Sequence, residues 1–328
     1  GADDLLATNL EESDVRVFLG NLGGGDTLSF LSILEGNGDG TFKVNSTLSA
    51  LAGIREIEIS DFNGDGNADI TYISADTDKV VVHLSNGNGS YTAGVSYSVG
   101  DSPSDLAVSD LDGDGNSDLL VSSATDGLLT VLRGTASGSF EVSGGFAVGV
   151  GASSLTMGDF DGDGNVDVAV GHKSVMGGNT VSIHLGNGDG SYKYEGEYLG
   201  GSGIERLSAL DVTGDGVLDI VTATSGSDKL FVLEGVGDGT FVTPISAEGT
   251  LKARVSYSTG ANPASVVARD VNNDTILDLI TADFVDGVIS VQTGNGDGSF
   301  NYRLSFAAAV GVGTADVADV DGDGLVDI

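Results

Sequence analysis

The sequence has no cysteine, which excludes disulfides and thiolate chemistry. Many extracellular domains are stapled by disulfides, so a chain of this kind needs another device to tie its elements together. Tryptophan is absent, and proline occurs three times. Basic residues are scarce: 13 Lys plus Arg stand against 49 Asp plus Glu, a formal charge of −36. That balance argues against nucleic acid and anionic membranes as partners. It suits salty or calcium-rich surroundings, where ions screen self-repulsion. No apolar run is long enough to span a bilayer. The three histidines, His83, His172 and His184, are scattered and form no zinc-ligand pattern. They read as polar, outward-facing strand positions. No serine sits in a nucleophile-elbow pattern, and no convincing amphipathic helix is visible.

What the chain does have is glycine, 53 of 328 residues, and aspartate at fixed spacing. The stretch Asp110-Leu111-Asp112-Gly113-Asp114-Gly115-Asn116-Ser117-Asp118 places Asp at positions one, three, five and nine, and Gly at six. Like charges at about 4 Å cost roughly 1 kcal/mol in water and about 4 kcal/mol at an effective dielectric of 20. Such a cluster needs a cation. All-oxygen ligands with no His or Cys select Ca²⁺ over zinc or copper. Gly at position six suits a sharp turn, and the position-seven carbonyl is expected to point inward as a further ligand.

The nonapeptide returns through the chain. The candidate ligands are Asp61, Asn63, Asp65, Asn67 and Asp69 in the first complete copy, then Asp110, Asp112, Asp114, Asn116 and Asp118. The third copy offers Asp159, Asp161, Asp163, Asn165 and Asp167, and the fourth Asp211, Thr213, Asp215, Val217 and Asp219. Asp270, Asn272, Asp274, Ile276 and Asp278 make the fifth, and Asp319, Asp321, Asp323, Leu325 and Asp327 the sixth. Up to about six Ca²⁺ sites are therefore expected. The pattern is not an EF-hand, which needs Glu at position twelve and flanking helices. The copies differ. Thr213 removes a carboxylate from the fourth; Asn272, and Thr275 where Gly is expected, make Asp270–Asp278 the predicted weakest site.

Loop starts recur about every 50 residues, the signature of a propeller or repeat array. A short apolar run enters each loop and another leaves it, as in Leu119-Leu120-Val121. A third, alternating strand follows, then a Gly-rich turn ending on an aromatic: Phe42, Tyr91, Phe140, Tyr192, Phe241 or Phe300. That regularity predicts core packing rather than a sugar platform. Insertions around Asn9–Asp26 and Pro244–Arg254 are expected to be surface loops.

These motifs resemble the FG-GAP/VCBS repeat family, to which the integrin α-subunit propellers belong. The features shared are the D-x-[DN]-x-D-G-x-x-D loops, the G-x-G-D-G-[ST]-[FY] turns, and Gly-x-x-Pro at Gly100–Pro103 and Gly260–Pro263. The resemblance implies an all-β propeller of four-stranded antiparallel blades, six- or seven-bladed, with Ca²⁺ between the first and second strands. It implies an extracellular or cell-surface setting and a structural or adhesive role, with a protein or glycan partner. Residues 1–328 are expected to form one such domain, an excerpt of a longer chain, able to self-associate through its terminal strands. A carbohydrate-binding module and a polysaccharide-degrading propeller are the alternatives. No residue stands out as catalytic, so the expectation is a chain that is not an enzyme.

Overall fold

The computed structural model describes residues 6–8, 15–20, 29–36, 42–173, 179–242, 256–319 and 325–328. Both predicted insertions fall largely outside these residues. So do residues 1–5 at the start of the chain and 320–324 just before its last four residues, which bear on pairing through terminal strands.

The chain is all-β, built as six four-stranded antiparallel sheets joined in sequence order. The first holds β1 (Leu6–Thr8), β2 (Val15–Gly20), β3 (Ser29–Gly36) and β4 (Phe42–Ala50). The second holds β5 (Ile54–Ser60), β6 (Asp69–Ser74), β7 (Lys79–His83) and β8 (Val95–Ser98). The third runs β9 (Pro103–Ser109), β10 (Asp118–Ser123), β11 (Leu128–Gly134) and β12 (Phe140–Ala147). The fourth runs β13 (Ala152–Gly158), β14 (Asp167–His172), β15 (Thr180–Gly186) and β16 (Tyr192–Leu199). The fifth has β17 (Ile204–Leu210), β18 (Asp219–Thr224), β19 (Lys229–Leu233) and β20 (Ser256–Ser258). The sixth has β21 (Pro263–Arg269), β22 (Asp278–Asp283), β23 (Val288–Gln292) and β24 (Leu304–Ala307). This is the four-stranded blade of a β-propeller, as the resemblance implied.

Two compact units divide the sheets. Residues Gly1–Ala152 with Asp316–Ile328 form one, and Ser153–Ala315 the other. Burial grades across the second to sixth blades. The second strands β6, β10, β14, β18 and β22 are buried at all six positions. Strands covered on both faces carry continuous apolar runs, which is why Leu119-Leu120-Val121 does not alternate. The fourth strands β8, β12 and β24 are largely exposed.

The core lies between blades rather than within them. In the first unit, Ile73, Val80 and Val82 pack with Leu106, Leu119, Val121, Leu132 and Phe140 of the next sheet. In the second, Ala169, Val181 and Ile183 meet Ile204, Leu207, Ile220, Leu233 and Phe241. Each fully buried aliphatic or aromatic side chain contributes about 1.5–3 kcal/mol. The face-to-face packing also sets where the loops sit. Position two of a loop inserts into this seam as Phe62, Phe160 or Val212.

Candidate metal centres

Each loop joins the first strand of a blade to the second, and the second strand begins on its position-nine aspartate. That aspartate is the anchor. Asp69, Asp118, Asp167, Asp219 and Asp278 are each at most 1% exposed. One carboxylate oxygen accepts the position-two amide (Phe62, Leu111, Phe160, Val212, Val271) at 2.7–3.0 Å. The other accepts the amide of Ser85, Gly134, Gly186, Gly235 or Gly294, beside the end of the third strand, at 2.7–2.9 Å. One side chain thus closes the loop and staples it to the blade's third strand. Burial pushes all five carboxyls above their ordinary range, with these backbone amides pulling the other way.

Position one gathers the loop backbone. Asp61, Asp110, Asp159, Asp211 and Asp270 accept the amide of position five at 3.1–3.2 Å. They accept the amide of position six at 2.7–3.0 Å. Position five turns toward position seven: Asp65, Asp114, Asp163, Asp215 and Asp274 accept its amide at 2.8–2.9 Å.

Two loops bring three carboxylates together. Oxygens of Asp110, Asp112 and Asp118 lie within 4.8 Å of one another, as do those of Asp159, Asp161 and Asp167. Positions one, three and nine therefore converge, while Asp114 and Asp163 stay outside these triads. The donor set is purely oxygen, and Asp112 Oδ1 is buried with no hydrogen-bond partner among the described residues. These residues fit a hard cation. In the sixth loop Asp319 and Asp327 are described, and Ala318 pairs with Asp327 in both directions at 2.7 and 3.1 Å. Asp321 and Asp323 lie outside the described residues.

The next blade braces each loop where both belong to one unit. The Gly239 amide donates to the Phe160 carbonyl at 3.0 Å, and the Gly298 amide to the Val212 carbonyl at 3.1 Å. The turn aromatics follow them into the seam. Phe140 meets Phe62 edge to face at 5.5 Å, and Phe241 meets Phe160 at 5.6 Å. Phe140, Phe241 and Phe300 are at most 9% exposed, so these aromatics are packing elements, as the repeat pattern predicted.

The fifth loop carries the strain expected of it. Thr275 has φ of 70° and Asn273 φ of 62°, where the other described loops place glycine. A β-branched residue is a true outlier there, at a cost of about 1–3 kcal/mol. Thr275→Gly is expected to raise stability by about 1 kcal/mol after the entropy cost of glycine. Urea denaturation midpoints measure it; an unchanged or lower midpoint contradicts the strain.

The histidines depart from the sequence reading. They are buried, His83 and His172 at 4% exposed and His184 at 2%. His83 and His184 lie on third strands and His172 on a second strand, and burial leaves none of them an outward side. His172 Nε2 and His184 Nε2 share the Ser182 hydroxyl at 2.8 and 3.1 Å. Burial, then the neighbouring His172, holds His184 down to about 4. The unfolded chain therefore binds more protons between pH 6.5 and about 4. This contribution is complete above that window and is lost as pH falls through it. His184→Gln is expected to flatten this part of the stability profile, read from denaturation midpoints against pH.

With the loops defined, the relatives can be placed. A family model described as FG-GAP-like repeat matches residues 61–121, 110–170, 211–281 and 270–328. The chain belongs to the FG-GAP-like repeat family. A search of curated proteins finds no sequence match. Solved structures similar to this FG-GAP chain include an Agrocybe aegerita lectin that recognises non-reducing terminal N-acetylglucosamine. It has 18% identity and a TM-score of 0.58, over 92% of this chain and 79% of that one. A Pseudomonas aeruginosa periplasmic gluconolactonase has 16% identity and a TM-score of 0.64, over 94% and 86%. A putative 6-phosphogluconolactonase from Bacteroides uniformis has 13% identity and a TM-score of 0.65, over 91% and 83%. At these identities the likeness concerns the fold alone. It nonetheless corrects one expectation. Two of these fold relatives are described as lactonases, so the absence of a catalytic signature in the motifs does not make the FG-GAP chain a non-enzyme. Among the described residues, no helix is long and apolar enough to cross a membrane.

Proposed function

We propose that this FG-GAP chain is a calcium-stabilised propeller module of the extracellular space or cell surface, with a structural or adhesive role toward a protein or glycan partner. The supporting observation is the convergence of positions one, three and nine at Asp110, Asp112 and Asp118 and again at Asp159, Asp161 and Asp167. Those aspartates hold Ca²⁺, joined by Asp114, Asp163 and the position-seven carbonyls of Asn116 and Asn165. Equivalent residues serve the loops from Asp61, Asp211, Asp270 and Asp319, with Asp270–Asp278 the weakest. The bound ion neutralises the clustered carboxylates. The chain's own residues do the rest: position nine staples the loop to the third strand, and position two locks it into the seam. A net charge of −36 fits calcium-rich surroundings.

Calcium titration by isothermal calorimetry tests the metal assignment. At least two ions per chain are expected, and no uptake at millimolar calcium refutes it. A second reading, a lectin-like glycan-binding module, is supported by the likeness to the Agrocybe aegerita lectin. A glycan array read with and without calcium separates the two. A retained glycan favours the lectin-like reading; an empty array favours a protein partner.

A further inference from the structure

The residue just before each third-strand clamp amide occupies one place in five blades: Leu84, Arg133, Leu185, Glu234 and Thr293 precede Ser85, Gly134, Gly186, Gly235 and Gly294. The ladder explains the equivalence. Leu119 pairs with Leu132, and Ile220 with Leu233, so the next step sets Arg133 opposite Asp118 and Glu234 opposite Asp219.

Three blades show what the side chain at this place meets. Arg133 Nε lies 3.4 Å from Asp112 Oδ2, the position-three carboxylate of its loop. A Cβ on Gly138 would meet both Leu84 and Asn63, the position-three residue of that loop. A Cβ on Gly239 would likewise meet Leu185 and the position-three Asp161. The place therefore borders position three. In the fourth loop copy, on the fifth blade, position three is Thr213, which has no carboxylate, and the bordering residue is Glu234. Glu234 is half-buried, and no hydrogen bond or ion pair engages its carboxylate among the described residues. Tyr257 lies within reach of that charge. Burial pushes its hydroxyl up, and the Asp297 and Glu234 charges add to this. The same hydroxyl donates to the Gly298 carbonyl at 3.1 Å, and a Cβ on Gly298 would stand 3.0 Å from Thr213 Cγ2.

We infer that this third-strand residue tunes the calcium affinity of each loop, with Glu234 supplying the carboxylate that Thr213 lacks and Arg133 drawing Asp112 away from its ion. This rests on the calcium reading above and deepens it. It reverses the ranking that loop sequences alone give, because the four-aspartate loop Asp110–Asp118 carries a competing cation while the three-aspartate loop Asp211–Asp219 regains a fourth carboxylate. The leucines beside Asn63 and Asp161 leave those loops untuned.

Calcium calorimetry, with anomalous-difference maps at limiting calcium to assign the sites, tests the inference on the whole chain. Removing one charge beside a divalent ion shifts affinity by about tenfold. Glu234→Gln is expected to weaken the Asp211–Asp219 site by about that factor, and Thr213→Asp in the same chain to restore it. Arg133→Gln is expected to tighten the Asp110–Asp118 site by a similar factor. Far-ultraviolet circular dichroism checks that each variant is folded. Unchanged affinities in both single variants, with the wild type binding calcium, overturn the tuning alone. A wild type that takes up no calcium overturns the calcium reading and the tuning together.

Discussion

Removing calcium is expected to lower the melting temperature by more than about 10 °C. The size follows from mass action. Extracellular calcium modules bind with Kd of roughly 10⁻⁴ to 10⁻³ M. At 10 mM calcium each site is then some ten- to a hundredfold above its Kd, and contributes about 1.4–2.7 kcal/mol to the folded state. Several sites acting together supply many kcal/mol in a chain with no disulfide to substitute. The position of the loops makes the loss global. Phe62 and Phe160 run from their loops directly into the seams between blades, so a slackened loop loosens packing as well as turns. Differential scanning calorimetry in 10 mM calcium and in excess EDTA measures the effect. Coincident transitions would show that the acidic loops are self-sufficient turns.

The periodic features were legible in the sequence because they repeat. Copies of one nonapeptide in register marked where strand one ends and strand two begins, and the Gly-rich turns marked where the third strand ends. The continuous apolar runs after each loop betrayed strands covered on both faces. Three things were not legible. The alternating pattern around His83 and His184 suggests an outward polar side, but both side chains are buried, and alternation within one strand does not show whether its polar face is covered. Position nine read simply as a fourth ligand. That its two oxygens each accept a distant or local amide depends on the ladder register, which brings Gly134 and Gly186 to Asp118 and Asp167. Arg133 lies many residues from Asp112 in sequence, so only the antiparallel pairing reveals that a cation borders that carboxylate. Function is less legible still. Lectins and lactonases share this fold, and neither the loops nor the seams tell them apart.

Two aspartates of one loop are expected to differ in what their loss costs once calcium is removed. Asp167→Ala should cost about 3–5 kcal/mol in EDTA, and more in calcium because Asp167 is also a ligand. Its carboxylate is wholly buried and accepts the Phe160 and Gly186 amides at 2.7 Å each. Deleting it leaves two amides without partners, each costing about 1–3 kcal/mol, and frees Phe160 from its seat against Phe241. Asp163→Ala should behave differently. Its carboxylate is exposed and accepts from the Asn165 amide and the Asn165 side chain, both within the loop. In EDTA its loss should cost no more than about 1 kcal/mol, the value of a solvated turn bond. In calcium the cost should grow by the share of ion affinity that its charge supplies. Urea denaturation of both variants, each with calcium and with EDTA, separates a structural staple from a ligand. Equal costs of the two variants in EDTA would contradict the division, because position nine would then act through the ion alone. A wild-type midpoint for Asp167→Ala in EDTA would contradict the staple itself, since the two amides would have found partners elsewhere.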